Sequence, residues 1–461
     1  MNENDYKQWI ESYGGWLLIG LFCSIPVIRW LTLQDSLSNI FISPNSFFLA
    51  AGRITGLIGL VLYAVNLLLA ARTRWMENLF NGLNRVYIAH HLTGGIALIL
   101  LGFHPLFLAV RYIDVAVLSS VKDAAKFLLP RTFNSETLWF EVEQALSINA
   151  AIIAFLGMVV LLILTFFVKL PYRIWLATHK FLGVAFMFAG LHIILISSDT
   201  SKDNFLKYYM LLWVVVGLSA FVYRTLMNNI FVSRYPYKVL AVSQQEGNVV
   251  GITLEPMEKK MSYKPGQFIF IRFLWSSEEG IIRETHPFSI ASAPNEPNVR
   301  LYIKSLGDYT TSLKNLKVGA IAEIEGAYGK FTYTRFGEAP QIWVAGGIGI
   351  TPFLSMARSY TTTSPNVDLV YSVVNRSELL DQRAVAEYLP STYKTFRYFP
   401  YVAKEQDGFL TAQKVKDMCG GLDNKQIFIC GPPPMMKALR AQLRQLGVPN
   451  RNIHSEEFSM S

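Results

Sequence analysis

The stretch AHHLTGGIALILLGFH, Ala89–His104, sets three histidines in a run otherwise apolar enough for the interior of a bilayer. An unsatisfied polar group costs several kcal/mol there, so these imidazoles need partners. A second such run, around 174–197, carries His179 and His192. Five of the seven histidines therefore fall in apolar runs.

Six runs of about 20 residues, the length that a hydrocarbon core requires, lie near 14–33, 50–71, 86–111, 148–168, 174–197 and 205–227. The chain of 461 residues is 52% hydrophobic and 16% charged, against roughly 25% charged in an ordinary soluble protein. The apolar excess ends at about residue 228, and the remainder reads as soluble sequence. The formal charge of +9 forms no basic stripe with interleaved aromatics, which excludes a nucleic-acid partner. Cations flank the spans instead: Arg72, Arg74 and Arg85 after the second, Lys169–Arg173 after the fourth, Arg224 and Arg234 around the end of the sixth. The 112–147 loop is mixed in charge. The positive-inside rule then places both termini in the cytoplasm and the long loop outside. Three cysteines without CxxC spacing argue against disulfides and zinc, and the polar first thirteen residues predict no cleavable leader.

The third and fifth spans run in the same direction. His90 and His104 are fourteen residues apart, which on a helix is nearly the same face about 21 Å further along. His179 and His192 are thirteen apart, about 20 Å. Two helices thus present imidazoles at two matched depths, and haem iron accepts an imidazole on each side. One haem fits between His90 and His179, a second between His104 and His192. Thirteen residues leave the fifth span about 140° off-face, so it must bend, tighten or approach its haems from different sides. His91 rivals His90. His90 is preferred because HHLTG and HKFLG then align, with Gly94 and Gly183 leaving room for a flat macrocycle. Arg53 and Arg29 lie in the second and first spans, where haem propionates are suitable anions for Arg53 and snorkelling suits Arg29.

Beyond residue 235 the period changes. YKVLAVSQQEGNVVGITLEP, KPGQFIFIRF and VRLYIKSLG alternate like antiparallel strands to about 335. From 340 onward apolar strands alternate with helical segments, including RAVAEYLP (383–390), as in a parallel α/β sheet. VAGGIGITPFLSM (Val344–Met356) is a strand, a cluster of Gly346, Gly347 and Gly349, then Thr351-Pro352 opening a helix, a pattern suited to phosphate. FICGPPPMM (Phe428–Met436) is a second strand end, placed beside the first at the carboxyl edge of the sheet. HPFSIAS (His286–Ser292), KSLGDYTTSL (Lys304–Leu313) and the terminal Phe458 complete the set.

Together these residues resemble the ferric reductase and NADPH oxidase superfamily. The resemblance implies a multidomain membrane protein: a six-helix transmembrane haem domain (1–230), an antiparallel β-barrel FAD domain (231–338) and an α/β parallel-sheet NAD(P)H domain (339–461). It implies that His286, Pro287, Phe288 and Ser289 form the flavin-binding turn, with Ser289 near the reactive edge. Ser292, Gly307 and Thr310 contact the rest of FAD. Gly346, Gly347, Gly349, Thr351 and Pro352 form the nicotinamide dinucleotide site, and Cys430 and Gly431 the loop beside the nicotinamide. Phe458 stacks on the flavin, Arg376 takes the 2′-phosphate of NADPH in preference to NADH, and Arg53 stands near the outer haem. Many oxidases of this group carry a histidine where this chain has Leu108, which places a superoxide-forming site in doubt.

The function so implied is electron transfer from cytoplasmic NAD(P)H through FAD and two b-type haems to an acceptor outside, foremost a ferric complex and secondly oxygen. The compact form suggests a bacterial inner membrane. A transporter with a regulatory nucleotide domain, its histidines relaying protons, is the alternative of another class; a reductase merely anchored to the membrane is a third. The sequence leaves the oligomeric state open.

Overall fold

The computed structural model describes residues 3–34, 37–113, 120–132, 139–225, 227, 232–274, 280–380, 394–406 and 408–456. The helical segment expected at 383–390, Phe458 and parts of the 112–147 loop lie outside them. The chain forms two compact units, Met1–Phe231 and Val232–Ser461.

The first unit is helical. Its long elements are α1 (Glu3–Thr32), α2 (Pro44–Ala70), α4 (Leu83–Val110), α6 (Trp139–Phe166), the broken pair α7 (Tyr172–Lys180) and α8 (Leu182–Leu195), and α10 (Asn204–Thr225). Short helices α3 (Arg74–Phe80), α5 (Ser120–Phe127) and α9 (Asp199–Lys202) lie in the connections. Among the described residues, six stretches are long and apolar enough to cross a membrane. α2 opens cleanly, because Ser43 accepts from the backbone N–H of Ser46 and Pro44 takes the first turn.

α2 packs along α4 and α10, and α6 packs along α8. Close approach on α2 comes from glycines on one face. A Cβ on Gly52 would stand 2.7 Å from Leu108, one on Gly59 2.7 Å from Leu101, and one on Gly56 2.6 Å from the Nδ1 of His104. Without a hydrophobic drive between helices in lipid, such small-residue stripes are what let backbones meet.

The fifth span tightens where its histidine spacing demands it. Phe181 N–H bonds to Thr178 O at 3.1 Å and Val184 N–H to Phe181 O at 2.9 Å, both three residues back. Each residue of such a turn advances about 120° instead of about 100°, which rotates His192 towards the face of His179. The hydroxyl of Tyr63 on α2 donates to the carbonyl of Leu182 at 2.7 Å and so steadies the break.

The second unit holds two sheets. The first, antiparallel, runs β4 (His286–Ser289), β3 (Phe268–Phe273), β6 (Ile321–Tyr328), β1 (Arg234–Gln245), β2 (Val249–Pro256), β5 (Val299–Lys304). It curls until its ends meet, with Ala291 N–H donating to Arg300 O at 2.9 Å. β5 alternates buried Val299, Leu301 and Ile303 with half-exposed Arg300, Tyr302 and Lys304, the period-2 pattern of a strand with one face in a core. The second sheet is parallel: β11 (Ile453–Glu456), β10 (Gln426–Cys430), β7 (Gln341–Gly346), β8 (Val367–Val373), β9 (Phe396–Val402). Separate apolar clusters cover its two faces, so β7 is buried along its length. Strand order reverses between β7 and β10, the point at which ligands bind in such sheets.

His454 lies on β11 against Phe336 and Phe428, centroids 4.3 and 4.9 Å away, with Nε2 bonded to Gln426 Oε1 at 2.8 Å. Burial, with Arg335 and Arg440 adding repulsion, pushes it down from 6.5 to about 3. The unfolded chain therefore binds the proton more readily, and the contribution of this site to stability is complete above about pH 6.5 and is lost progressively towards pH 3. By pH 5 the loss should reach about 2 kcal/mol. Urea unfolding of the C-terminal unit at pH 7 and pH 5 measures it, and His454→Gln should flatten the difference.

Candidate functional site

Two groups of residues gather the chemistry, one in each unit. In the bundle, the rings of His90 on α4 and His179 on α7 lie 6.0 Å apart between centroids, at 72°. Two imidazoles sharing one metal, each nitrogen about 2 Å from it, have centroids about 6 Å apart. Each of the four expected ligands turns Nδ1 to an oxygen of a neighbouring helix. His90 meets Asn66 O at 3.1 Å, His104 meets Gly52 O at 2.7 Å, and His192 meets Ser147 O at 3.0 Å. His179 meets Thr165 Oγ1 at 3.4 Å and stacks on Trp175. A carbonyl only accepts, so for three of the rings Nδ1 holds the proton and Nε2 keeps the lone pair that binds a metal. α4 and α8 do not pack along each other; each packs on its own neighbour. The His90–His179 pair fits one bis-imidazole haem, and His104 and His192 repeat its Nδ1–carbonyl arrangement. His91, 5.8 Å from His90 between centroids, meets no backbone carbonyl with its ring among the described residues.

Two expectations need correcting. Gly94 does not face an open slot, since a Cβ there would stand 2.9 Å from Asn66 Nδ2, and one on Gly183 would collide with the ring of Phe221. Both glycines admit a neighbouring side chain. The arginines also have protein partners. Arg53 Nη1 pairs with Asp199 Oδ2 at 2.6 Å, which Trp30 Nε1 also bonds at 2.8 Å. Arg29 grips Asp203 with two bonds, of 3.1 and 2.5 Å, rather than simply snorkelling. Both carboxylates belong to the connection between α8 and α10.

In the second unit, the loops that follow β7 and β10 meet. A Cβ on Gly349 would collide with the carbonyl of Cys430, and one on Gly431 would stand 3.0 Å from Gly346 Cα. Gly346 is closed off in turn by Met435 and Pro432. Only Gly347 of this cluster, at φ 53°, faces open space, beside the start of α12 (Thr351–Arg358), the helix after α11 (Asp308–Ser312), with Pro352 in its first turn. The helix N-terminus and the open glycine suit a dinucleotide phosphate.

Cys430 is fully buried, and burial together with the carboxylate of Glu456 pushes its thiol well above its ordinary value. It is therefore a packing group beside the site, without thiolate character. Glu456 pairs in register with Cys430 across β10 and β11 and is itself buried. Its signal in the sequence is a glutamate at an apolar strand end, two residues before Phe458.

His286 stacks on Tyr309, 3.8 Å between centroids, and bonds Glu284 Oε2 through Nε2 at 3.1 Å. Phe288 follows at 6.5 Å, and Ser289, on the same strand, is buried. The hydroxyl of Tyr309 is buried without a hydrogen-bond partner, an orphan that fits a polar group of FAD at this edge. Within KSLGDYTTSL the glycine and threonines carry the signal for a phosphate-binding start, and a tyrosine among them carries no mark that sets it apart from a packing residue. Thr310 Oγ1 accepts from the N–H groups of Leu306 and Gly307, at 2.9 and 3.1 Å, so those amides face inward. Ser292 departs further from expectation. It is fully buried, its Oγ meets Tyr263 OH and Arg300 N, each at 3.0 Å, and its carbonyl accepts from Ser355 Oγ on α12 at 2.7 Å. It joins the barrel to the parallel sheet, and its hydroxyl is already shared between Tyr263 and Arg300. Arg376 is bidentate with Glu405, so a carboxylate occupies the guanidinium expected to take a 2′-phosphate.

Comparison with known proteins follows this division. Residues 55–190 match the family described as ferric reductase like transmembrane component, 234–333 an FAD-binding domain and 343–441 an oxidoreductase NAD-binding domain. The chain has the ferric reductase and NADPH oxidase architecture. Among relatives of this ferric reductase-like chain, flavohemoprotein A of Dictyostelium discoideum is 28% identical over 232 residues, 47% of this chain and 58% of that protein. NADH-cytochrome b5 reductase 1 of Laccaria bicolor is 28% identical over 190 residues, 39% and 61% of the two chains. The chain spans about three-fifths of the length of these relatives. A solved flavohemoglobin from Malassezia yamatoensis with bound FAD and heme is similar at 18% identity and a TM-score of 0.49, covering 89% of this chain and 96% of that one.

Gly349→Ala should lower the thermal midpoint of the C-terminal unit even without nucleotide, because the added methyl overpacks the Cys430 carbonyl at a cost of about 1–3 kcal/mol. A thermal scan of the nucleotide-free protein measures this directly.

Proposed function

We propose that the protein carries electrons from NAD(P)H through FAD and two b-type haems across a membrane to a ferric complex. In this reading 1–230 is the haem domain, 231–338 the FAD domain and 339–461 the NAD(P)H domain, with both termini and the soluble domains in the cytoplasm of a bacterium. The observation that carries it is the His90–His179 ring pair 6.0 Å apart, with Nδ1 of His90, His104 and His192 committed to backbone carbonyls.

FAD supplies a group that takes two electrons as hydride and releases them singly, as haem iron requires. His286, Phe288, Ser289 and the orphan hydroxyl of Tyr309 would hold its flavin end. Gly347 and the start of α12 would receive the dinucleotide phosphates, with Thr351 and Pro352 opening the helix. Arg376 holds Glu405, which supports NADH at least as well as NADPH. The apolar wall of Cys430 and the loop contact with Gly349 keep water from the carboxyl edge of β10. In the bundle His90 and His179 would hold one haem, His104 and His192 the other. Phe458 is retained as the aromatic that covers the flavin.

The ferric acceptor is favoured over oxygen by Leu108, which packs on Gly52 and puts an apolar side chain where oxidases carry a histidine. The proton-relay reading is less well supported, because three of the four rings are tied to carbonyls that cannot take up a proton. Arg53, paired with Asp199, is left as a residue near the outer pair.

Purified after expression with ample haem, the protein should show a split α-band and two haems per chain. His104→Ala should remove one of them and reduce NAD(P)H-driven, dismutase-insensitive Fe(III)-chelate reduction at least 100-fold, about 2.7 kcal/mol. A colourless wild-type protein ends the haem reading, and dismutase-sensitive dye reduction moves the acceptor to oxygen.

A further inference from the structure

Two contacts in the bundle repeat one another. Asn66 on α2 takes the Nδ1–H of His90 on its backbone carbonyl, while its side-chain Nδ2 donates back to the carbonyl of His90. Ser147 on α6 takes the Nδ1–H of His192 on its backbone carbonyl, while its Oγ donates back to the carbonyl of His192 at 3.0 Å. One residue thus holds one histidine at two points, by the ring and by the main chain. The two clamps stand on different helices and grip different ligand helices, and each serves one of the two histidine pairs. Among the described residues the remaining two histidines are held across helices through the ring alone, His104 by Gly52 O and His179 by Thr165 Oγ1.

The surroundings fit this role. Asn66 Nδ2 also donates to Thr93 Oγ1 at 3.1 Å, and Thr93 is buried with its hydroxyl bonded to Ala89 O. Gly94 provides the space in which the amide lies. Ser147 is fully buried, and its Oγ also lies 3.0 Å from Nδ1 of His192. A polar contact that only joined two helices would need one bond. The return bond fixes the helix register that sets where the carbonyl stands against the ring. A carbonyl on Nδ1–H fixes the tautomer and raises the basicity of Nε2, and the electronics of a bound iron follow that basicity.

We propose that Asn66 and Ser147 are positioning residues that set the ligand geometry, and through it the reduction potential, of the haems at His90/His179 and at His104/His192 respectively. The proposal rests on the bis-haem reading given above.

The test is a redox titration of the full-length protein followed by haem absorbance, with Asn66→Leu, Ser147→Ala and Ser147→Thr beside the wild type. Asn66→Leu keeps the volume without the donor; Ser147→Thr keeps the hydroxyl. Each of the first two should retain both haems and shift one of the two midpoints by at least threefold in the ferric-to-ferrous ratio, about 28 mV for one electron. The midpoint shifted should differ between the two variants, and Ser147→Thr should titrate like the wild type. Wild-type midpoints in both variants, or equal shifts of both haems in each, would overturn the proposal and leave the bis-haem reading standing. A wild-type protein without haem defeats the reading beneath it instead. Should Asn66→Leu fail to accumulate, the Ser147 series decides alone, since a shift in Ser147→Ala that Ser147→Thr does not reverse also overturns the assignment.

Discussion

An imidazole N–H in a bilayer interior must find an acceptor within the protein, and most of the bundle is arranged around that need. His90, His104 and His192 each bond a backbone carbonyl of a neighbouring helix. A helical carbonyl can accept a second bond only where the neighbouring backbone comes close. That closeness is why α2 carries glycines against Leu101, His104 and Leu108. The bundle thus separates into helices that carry histidines, α4 and α7–α8, and helices that hold them, α2 and α6.

The same economy governs the second unit at its own critical edge. Two loops meet at the reversal of strand order, and they meet because Gly346, Gly349 and Gly431 have no side chains. Ser292 and Ser355 tie the barrel to the sheet a short way off, with Arg358 paired to Glu296 nearby. The carboxyl edge of the parallel sheet and the His286–Ser289 edge of the barrel therefore belong to one compact body, and the two serines that join them are buried and hydrogen-bonded.

The six spans and both sheets were legible because hydropathy and period survive in any context: a 22-residue apolar run such as Asn204–Thr225 has few other uses. The four histidines stand out by spacing, and the thirteen-residue interval in the fifth span asks for a bend, a local tightening or an approach from different sides; the span holds two hydrogen bonds that reach only three residues back. The partners of these histidines do not stand out. A backbone carbonyl has no residue type, so Asn66, Gly52 and Ser147 carry no mark that names them. Gly94 and Gly183 were misread because a missing Cβ says that something comes close without saying what. Arg53 and Arg29 find acids that lie far along the chain, in a connection too short to read as an element. Ser292 illustrates the same limit in a turn motif, where a serine facing a ligand and a serine facing the next domain are written identically.

The tightened turn at Phe181 also constrains how the chain can change over time. Twelve residues separate His179 from His192, and one of the turns between them is already overwound. Adding or deleting a single residue would swing one imidazole by about 100° and displace it by about 1.5 Å relative to the other. Side chains in this segment are free to vary wherever they face lipid, but its length is not, and the register of the two rings is carried by the count of residues more than by their identity.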